Sequence, residues 1–203
     1  MENQKSIKIV TAKIMDKKKS KEIIFEIEKG FKESNIKLPV YLKLELAKLI
    51  LNLIGRKKKF GLFVILGWQR KWGKFTDISD KTQDIFVKRH INIMKIKKRP
   101  SGRHNVSTTI NFDGAILIDK KGNIIHSGVI IEGLRPKVVA EKINPGQFKD
   151  LSEQFGFKEK VHSRHLAAIT SSYIFKNTTV FTVSEETNSF HIFENGKIIY
   201  SYV

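Results

Sequence analysis

Three short groups of side chains carry the residue types and neighbours that chemistry on an anionic substrate requires. Asp113-Gly114-Ala115 sets a carboxylate at the entry of an apolar run, followed by the two smallest residues. Small neighbours let a ligand or a metal approach the backbone closely, although the triplet also suits a strand-entry aspartate beside a packing glycine. Ser163-Arg164-His165 stands where a loop enters a helical pattern. Backbone amides and the positive end of a helix favour anions there, and Arg164 with His165 adds fixed or inducible positive charge that would suit a triphosphate. The plainer alternative is Ser163 as a helix cap, a solvated Arg164, and His165 bonded to a backbone carbonyl. Ser184-Glu185-Glu186 leaves the end of an apolar strand, where open α/β sheets commonly present ligand groups. Mg²⁺ or Mn²⁺ requires hard oxygen ligands, and a carboxylate from this group beside Asp113 would complete such a site; otherwise the group is a charged turn.

Other chemistries lose support. His90, His104, His126, His162 and His191 share none of the spacings of a zinc site, and no Walker lysine loop, dinucleotide fingerprint or nucleophile elbow occurs. The absence of cysteine excludes disulfides and thiolate metal sites. A net charge of +18 favours polyanions, whether nucleotide, nucleic acid or acidic membrane surface. Lysines far outnumber arginines and are scattered, so a duplex partner ranks below nucleotide phosphates. No run approaches the roughly 18 consecutive apolar residues of a membrane span, and the N-terminal stretch lacks a signal peptide's apolar region, so cytoplasm is the expected compartment.

These groups need a scaffold, and its elements are legible as patterns. Residues 7 to 14 alternate loosely as a short strand. Ile23, Ile27 and Phe31 predict a helix over about 20 to 34, fraying at Gly30 and Asn35. Pro39 opens a second helix with a stripe of Leu42, Leu46, Leu49, Ile50 and Leu53, ended by Gly55. The glycine-bounded run 61 to 67 reads as a buried strand, and 91 to 96 as another. Trp68 and Trp72 read as packing residues. Residues 112 to 118 and 124 to 129 form a hairpin about a glycine-containing loop, 129 to 160 is an excursion with short helical pieces, and 166 to 175 is a packed helix. Strands at 180 to 183, 190 to 193 and 198 to 203 close the chain. The fold class expected is α/β, a mixed, twisted central β-sheet flanked by helices.

Taken in order, GLFVILG at 61 to 67, DGAILIDKKGNIIHSG at 113 to 128, SRHLAAIT at 163 to 170 and VSEETNSFHIFENGKI at 183 to 198 resemble the catalytic domain of the diadenylate cyclase family. The resemblance spans about residues 40 to 203. It implies an extension at 1 to 36, a catalytic domain at 37 to 203, and condensation of two ATP into cyclic di-AMP with release of pyrophosphate. It further implies Asp113 as the catalytic residue and a ligand of Mn²⁺ or Mg²⁺, and Glu185 or Glu186 as a metal ligand. Gly114, Ala115, Ser163, Arg164, His165 and Ser184 would bind ATP, with facing protomers of a homodimer supplying one ATP each. Three departures stand out: Leu166 follows His165 where many members carry arginine, His162-Ser163 stands where glycine-threonine commonly precedes the arginine, and the connection from Gly128 to Ser163 is longer than usual. A noncatalytic nucleotide-binding module of the same fold is the alternative, and a basic nucleic-acid-binding protein a more remote one.

Overall fold

The computed structural model describes residues 17–56, 59–78, 84, 91–96 and 114–202. The strand expected at residues 7 to 14, Asp113, and the basic, proline-interrupted turn that the sequence predicts over 97 to 104 lie outside the described residues. Helices α1 (Lys17–Glu33) and α2 (Val40–Arg56) precede the strands β1 (Leu62–Trp68), β2 (Thr76–Ile78), β3 (Ala115–Asp119) and β4 (Ile124–Ile131). Helices α3 (Pro136–Ile143), α4 (Leu151–Gln154) and α5 (Ser163–Ile174) follow, and β5 (Thr179–Val183), β6 (Phe190–Glu194) and β7 (Lys197–Tyr202) complete the order.

Among the described residues the strands form one seven-stranded sheet in the order β2-β4-β3-β1-β5-β6-β7. Its β1 and β3 pair in parallel and its other pairings are antiparallel, so the fold is α/β with a mixed sheet, as the patterning predicts. All seven residues of β1 are buried, because its two faces meet different cores. Leu62, Val64 and Leu66 join Ile23, Ile27 and Phe31 of α1 and Leu42, Leu46 and Ile50 of α2. Phe63, Ile65 and Trp68 join Val139 of α3, Phe155, Phe157, and Ala168 and Ile169 of α5. This two-sided burial is why the run lacks polar alternation. Trp68 and Trp72 pack edge-on, with ring centroids 5.4 Å apart, and both meet Phe175.

Three local expectations are corrected. The strand expected over 91 to 96 is a single bridge, Asn92 to Asn123, followed by a 3₁₀ turn at Ile93–Lys95. The Asn92 side chain accepts from the Met94 amide and donates to Lys121 O and Asn123 Oδ1, offering the backbone a partner that competes with a ladder. Helix α1 runs through Gly30, which lies against Ile199 of β7 where a side chain would collide. The residue preceding α5 is His162, with no side-chain cap, and Ser163 is already helical.

Between the helical layer and the sheet lies a fully buried ion pair. Lys43 Nζ of α2 sits 2.9 Å from Glu194 Oε1 of β6, with neither side chain exposed. Thr179 Oγ1 donates to the same carboxylate, and the Lys43 ammonium lies 4.4 Å from the Phe31 ring centroid. Such a pair repays its desolvation only when both partners are present.

Candidate functional site: a cleft at the start of α5

The hairpin β3–β4 begins at Gly114, whose φ of +111° is a conformation L side chains rarely adopt. A Cβ there would lie 2.7 Å from Gly128 C and 2.8 Å from Val129 N on the neighbouring strand. Glycine is therefore required on two counts. Ala115 follows as a fully buried core residue paired with Val129 and is not among the residues that line the cleft described below.

At α5, His162 ends the preceding extended segment and its carbonyl accepts from His165 N and Leu166 N, so Ser163 and Arg164 are the first-turn residues whose amides lie before the first intrahelical bonds. The Arg164 guanidinium lies against an unexpected neighbour, Gly61. A Cβ on Gly61, the residue before β1, would lie 2.8 Å from Arg164 Cζ, 3.0 Å from Nη2 and closer still to Nη1. Gly61 thus leaves room for the guanidinium over the start of the central strand.

The turn between β5 and β6 is set by Ser184. Its hydroxyl accepts from the Glu186 and Thr187 amides at 3.3 Å each, and its backbone exchanges bonds with Ser189 and Asn188. The carboxylates of Glu185 and Glu186 are displayed at the surface. Glu186 Oε2 lies 3.1 Å from His162 Nε2, an exposed pair of small energetic weight.

Gly114, Ser163, Arg164, His165, Ser184, Glu185 and Glu186 all line one cleft of about 540 Å³, floored by Phe63. Residues from three separated stretches of chain therefore converge. Among the described residues no group of three or more His, Asp or Glu forms a metal cluster. The two glutamates are the hard oxygen donors that Mg²⁺ or Mn²⁺ requires, and Mg²⁺ is commonly held by one or two carboxylates with waters and phosphates completing its shell.

His165 corrects an expectation. It is buried, and burial first, then His191, Arg164 and His162, lowers its pKa from 6.5 to about 4. The imidazole is neutral at pH 7, so the fixed cation of this group is Arg164 alone. Its ring stands edge-on to His191 of β6, with centroids 4.9 Å apart, and to Phe157 at 6.2 Å. Burial likewise lowers His191 to about 4. Sequence reasoning passed over Gly61, Phe157 and His191. The available signal was a histidine at an inward position of the strand Phe190–Glu194, all of whose residues are buried.

The fold and cleft define an α/β protein with a mixed sheet, carrying an anion-compatible helix start and two carboxylates beside a glycine turn. No family profile matches the chain, and no curated protein matches it. Among solved structures, the chain is similar to a hypothetical membrane spanning protein from Bacillus cereus at 18% identity and a TM-score of 0.45. That similarity covers 78% of this chain and 61% of the other, so the chain spans less than two thirds of that protein's length. It is also similar to a double cysteine mutant of DacA from Staphylococcus aureus, at 13% identity and a TM-score of 0.39, over 92% of this chain and 89% of that one. Among the described residues, no helix is long and apolar enough to cross a membrane.

Proposed function

We propose that the chain is a diadenylate cyclase, joining two ATP molecules into cyclic di-AMP. The observation that carries this reading is the convergence of Gly114, the Ser163-Arg164-His165 group and the Ser184-Glu185-Glu186 group on one cleft, in the succession that resembles the family. In this reading the Ser163 and Arg164 amides at the start of α5 and the Arg164 guanidinium hold the phosphates, where negative charge grows during transfer. The 3′-hydroxyl oxygen of one ATP attacks the α-phosphorus of the other, the bond to the β-phosphate oxygen breaks, and pyrophosphate leaves. Repetition in the opposite sense closes the ring. Asp113, entering beside Gly114, orients the hydroxyl and receives its proton.

Asp113 with Glu185 or Glu186 would hold Mg²⁺ or Mn²⁺, which when bound neutralises phosphate charge. His165, being neutral, contributes hydrogen bonding and shape instead of charge. Because each site holds one ATP, two copies must face each other, and a two-fold arrangement brings equivalent cleft groups together.

Incubating the purified protein with ATP and Mn²⁺ or Mg²⁺ should yield cyclic di-AMP and pyrophosphate. Asp113→Asn should lower the rate by about 10²–10³-fold without loss of fold. Saturable ATP binding with no cyclic product at any protein concentration would refute the cyclase and leave a nucleotide-binding module. Affinity for nucleic acid at physiological salt, with none for ATP, would refute both.

A further inference from the structure

The cleft occupies one end of the sheet, where β1 and β3 begin and β5 finishes. The other end lies about 20 Å away along the seven residues of β1, where β1 and β3 finish and β5 begins. Residues 34 to 39 reach this far end, because the Lys37 amide donates to Asn177 Oδ1 and Leu38 lies against Gly67. The 3₁₀ turn Ile93–Lys95 reaches it too, since Ile93 N donates to Gly122 O in the β3–β4 hairpin.

Topology thereby gathers charge that is scattered along the chain. Lys37, Arg70, Lys95, Lys120, Lys121 and Lys176 all stand exposed at this end. Within residues 34–39, 69–70, 93–95, 119–123 and 175–178 the one carboxylate is Asp119. It accepts from the Lys121 and Asn123 amides and from the Asn123 side chain, so it serves the hairpin turn. These loops carry six positive charges against that single negative one, a field of one sign. Two large apolar side chains are exposed among the cations. A Cβ on Gly122 would meet Leu42 Cδ1 at 2.8 Å and Ile93 Cγ1 at 3.1 Å, so the start of α2 and the 3₁₀ turn close on the hairpin. The residues next to these contacts, Tyr41 and Met94, are 63% and 47% exposed.

We propose that this end of the sheet docks on an anionic lipid surface, its cations against the headgroups and Tyr41 and Met94 entering the interface. Lysines close to an acidic leaflet are attracted to it, and the attraction fades within a Debye length, so cations gathered on one face count and those on the far side do not. Tyrosine, with an apolar body and a polar tip, suits the headgroup level. Nucleic acid fits the face less well, because it is gripped by arginine forks and by stacked aromatic rings. Here the six cations include one arginine, and the exposed ring among them is Tyr41 alone. Docking of this kind needs no spanning helix and nothing from the chemistry of the cleft, which stays at the end away from the bilayer.

Co-sedimentation of the full chain at physiological salt tests this, using vesicles of phosphatidylcholine alone and of phosphatidylcholine with an equal amount of phosphatidylserine. Only the vesicles with phosphatidylserine should bind. Lys120→Gln together with Lys121→Gln should weaken binding about 25-fold, about fivefold for each cation. Lys158→Gln together with Lys160→Gln removes the same charge from exposed positions beside the start of α5, and should change binding by less than about twofold. Tyr41→Ser together with Met94→Ser leaves the charge intact and should weaken binding about tenfold. Every substituted side chain is exposed, and circular dichroism checks that each variant folds. No binding to the acidic vesicles, equal losses in the two lysine pairs, or full affinity in Tyr41→Ser with Met94→Ser overturns the proposal. Single-stranded RNA bound at the same salt and lost in Lys120→Gln with Lys121→Gln, while acidic vesicles stay unbound, overturns it as well and assigns the face to nucleic acid.

Discussion

Replacing Gly61 with alanine isolates the placement of the Arg164 guanidinium from its charge. The new Cβ would stand 2.8 Å from Cζ and 3.0 Å from Nη2, well inside ordinary carbon contact of about 3.5–4.0 Å. The atoms in the way are the far end of a flexible side chain, so the side chain yields and the strand does not. The guanidinium must therefore move by roughly 1 Å, a displacement that can cost on the order of 10²-fold in a reaction dependent on positioning. Since a charge-assisted hydrogen bond contributes about 1.5–3 kcal/mol, losing one should weaken tripolyphosphate binding by about ten- to a hundredfold. The melting temperature should stay within about 4 °C, because a surface-adjacent change of this kind is worth under about 1 kcal/mol. Titration calorimetry of Gly61→Ala, Arg164→Ala and the double variant gives the coupling directly. Arg164→Ala should add little once Gly61→Ala is present, since both remove the same contact. Wild-type affinity in Gly61→Ala, or fully additive losses in the double variant, would refute the support role assigned to Gly61.

Three further outcomes are expected. Lys43→Met should cost roughly 3–5 kcal/mol in urea unfolding by stranding the Glu194 carboxylate, and Lys43→Met with Glu194→Leu should recover much of it. Stability should be full above pH 6.5 and fall as pH drops from 6.5 toward 4, because the unfolded chain then binds protons that His165 and His191 refuse in the fold. The loss reaches roughly 3 kcal/mol per imidazole, and urea midpoints at pH 7.5, 5.5 and 4.5 should show it shrinking by about half in His191→Phe. Gly114→Ala, strained by its φ of +111° and by contact with Gly128, should lower stability by about 1–3 kcal/mol and, in the cyclase reading, slow product formation. Differential scanning calorimetry together with cyclic-product assays would check both effects.

The elements of this fold were legible because each is encoded within a short window. Spacing of Ile23, Ile27 and Phe31, or of Leu42, Leu46 and Ile50, selects one helical face, and the unbroken run of β1 signals burial on both sides. The strand expected at 91 to 96 failed at this same level, because the Asn92 side chain supplied a local alternative that hydrophobic alternation does not register.

The sequence by itself determined the candidate groups, Asp113-Gly114-Ala115, Ser163-Arg164-His165 and Ser184-Glu185-Glu186, and the elements that carry them. Tertiary structure decided what those residues are. It buried Ala115 in the core, set Gly61 against Arg164, and paired Glu186 with His162. It also made His165 neutral by enclosing it with His191 and Phe157. The reason is that side-chain type is a local property, whereas hydration and neighbouring charge depend on residues far away in the chain. An imidazole's charge, or an arginine's position, is therefore fixed only once the packing exists.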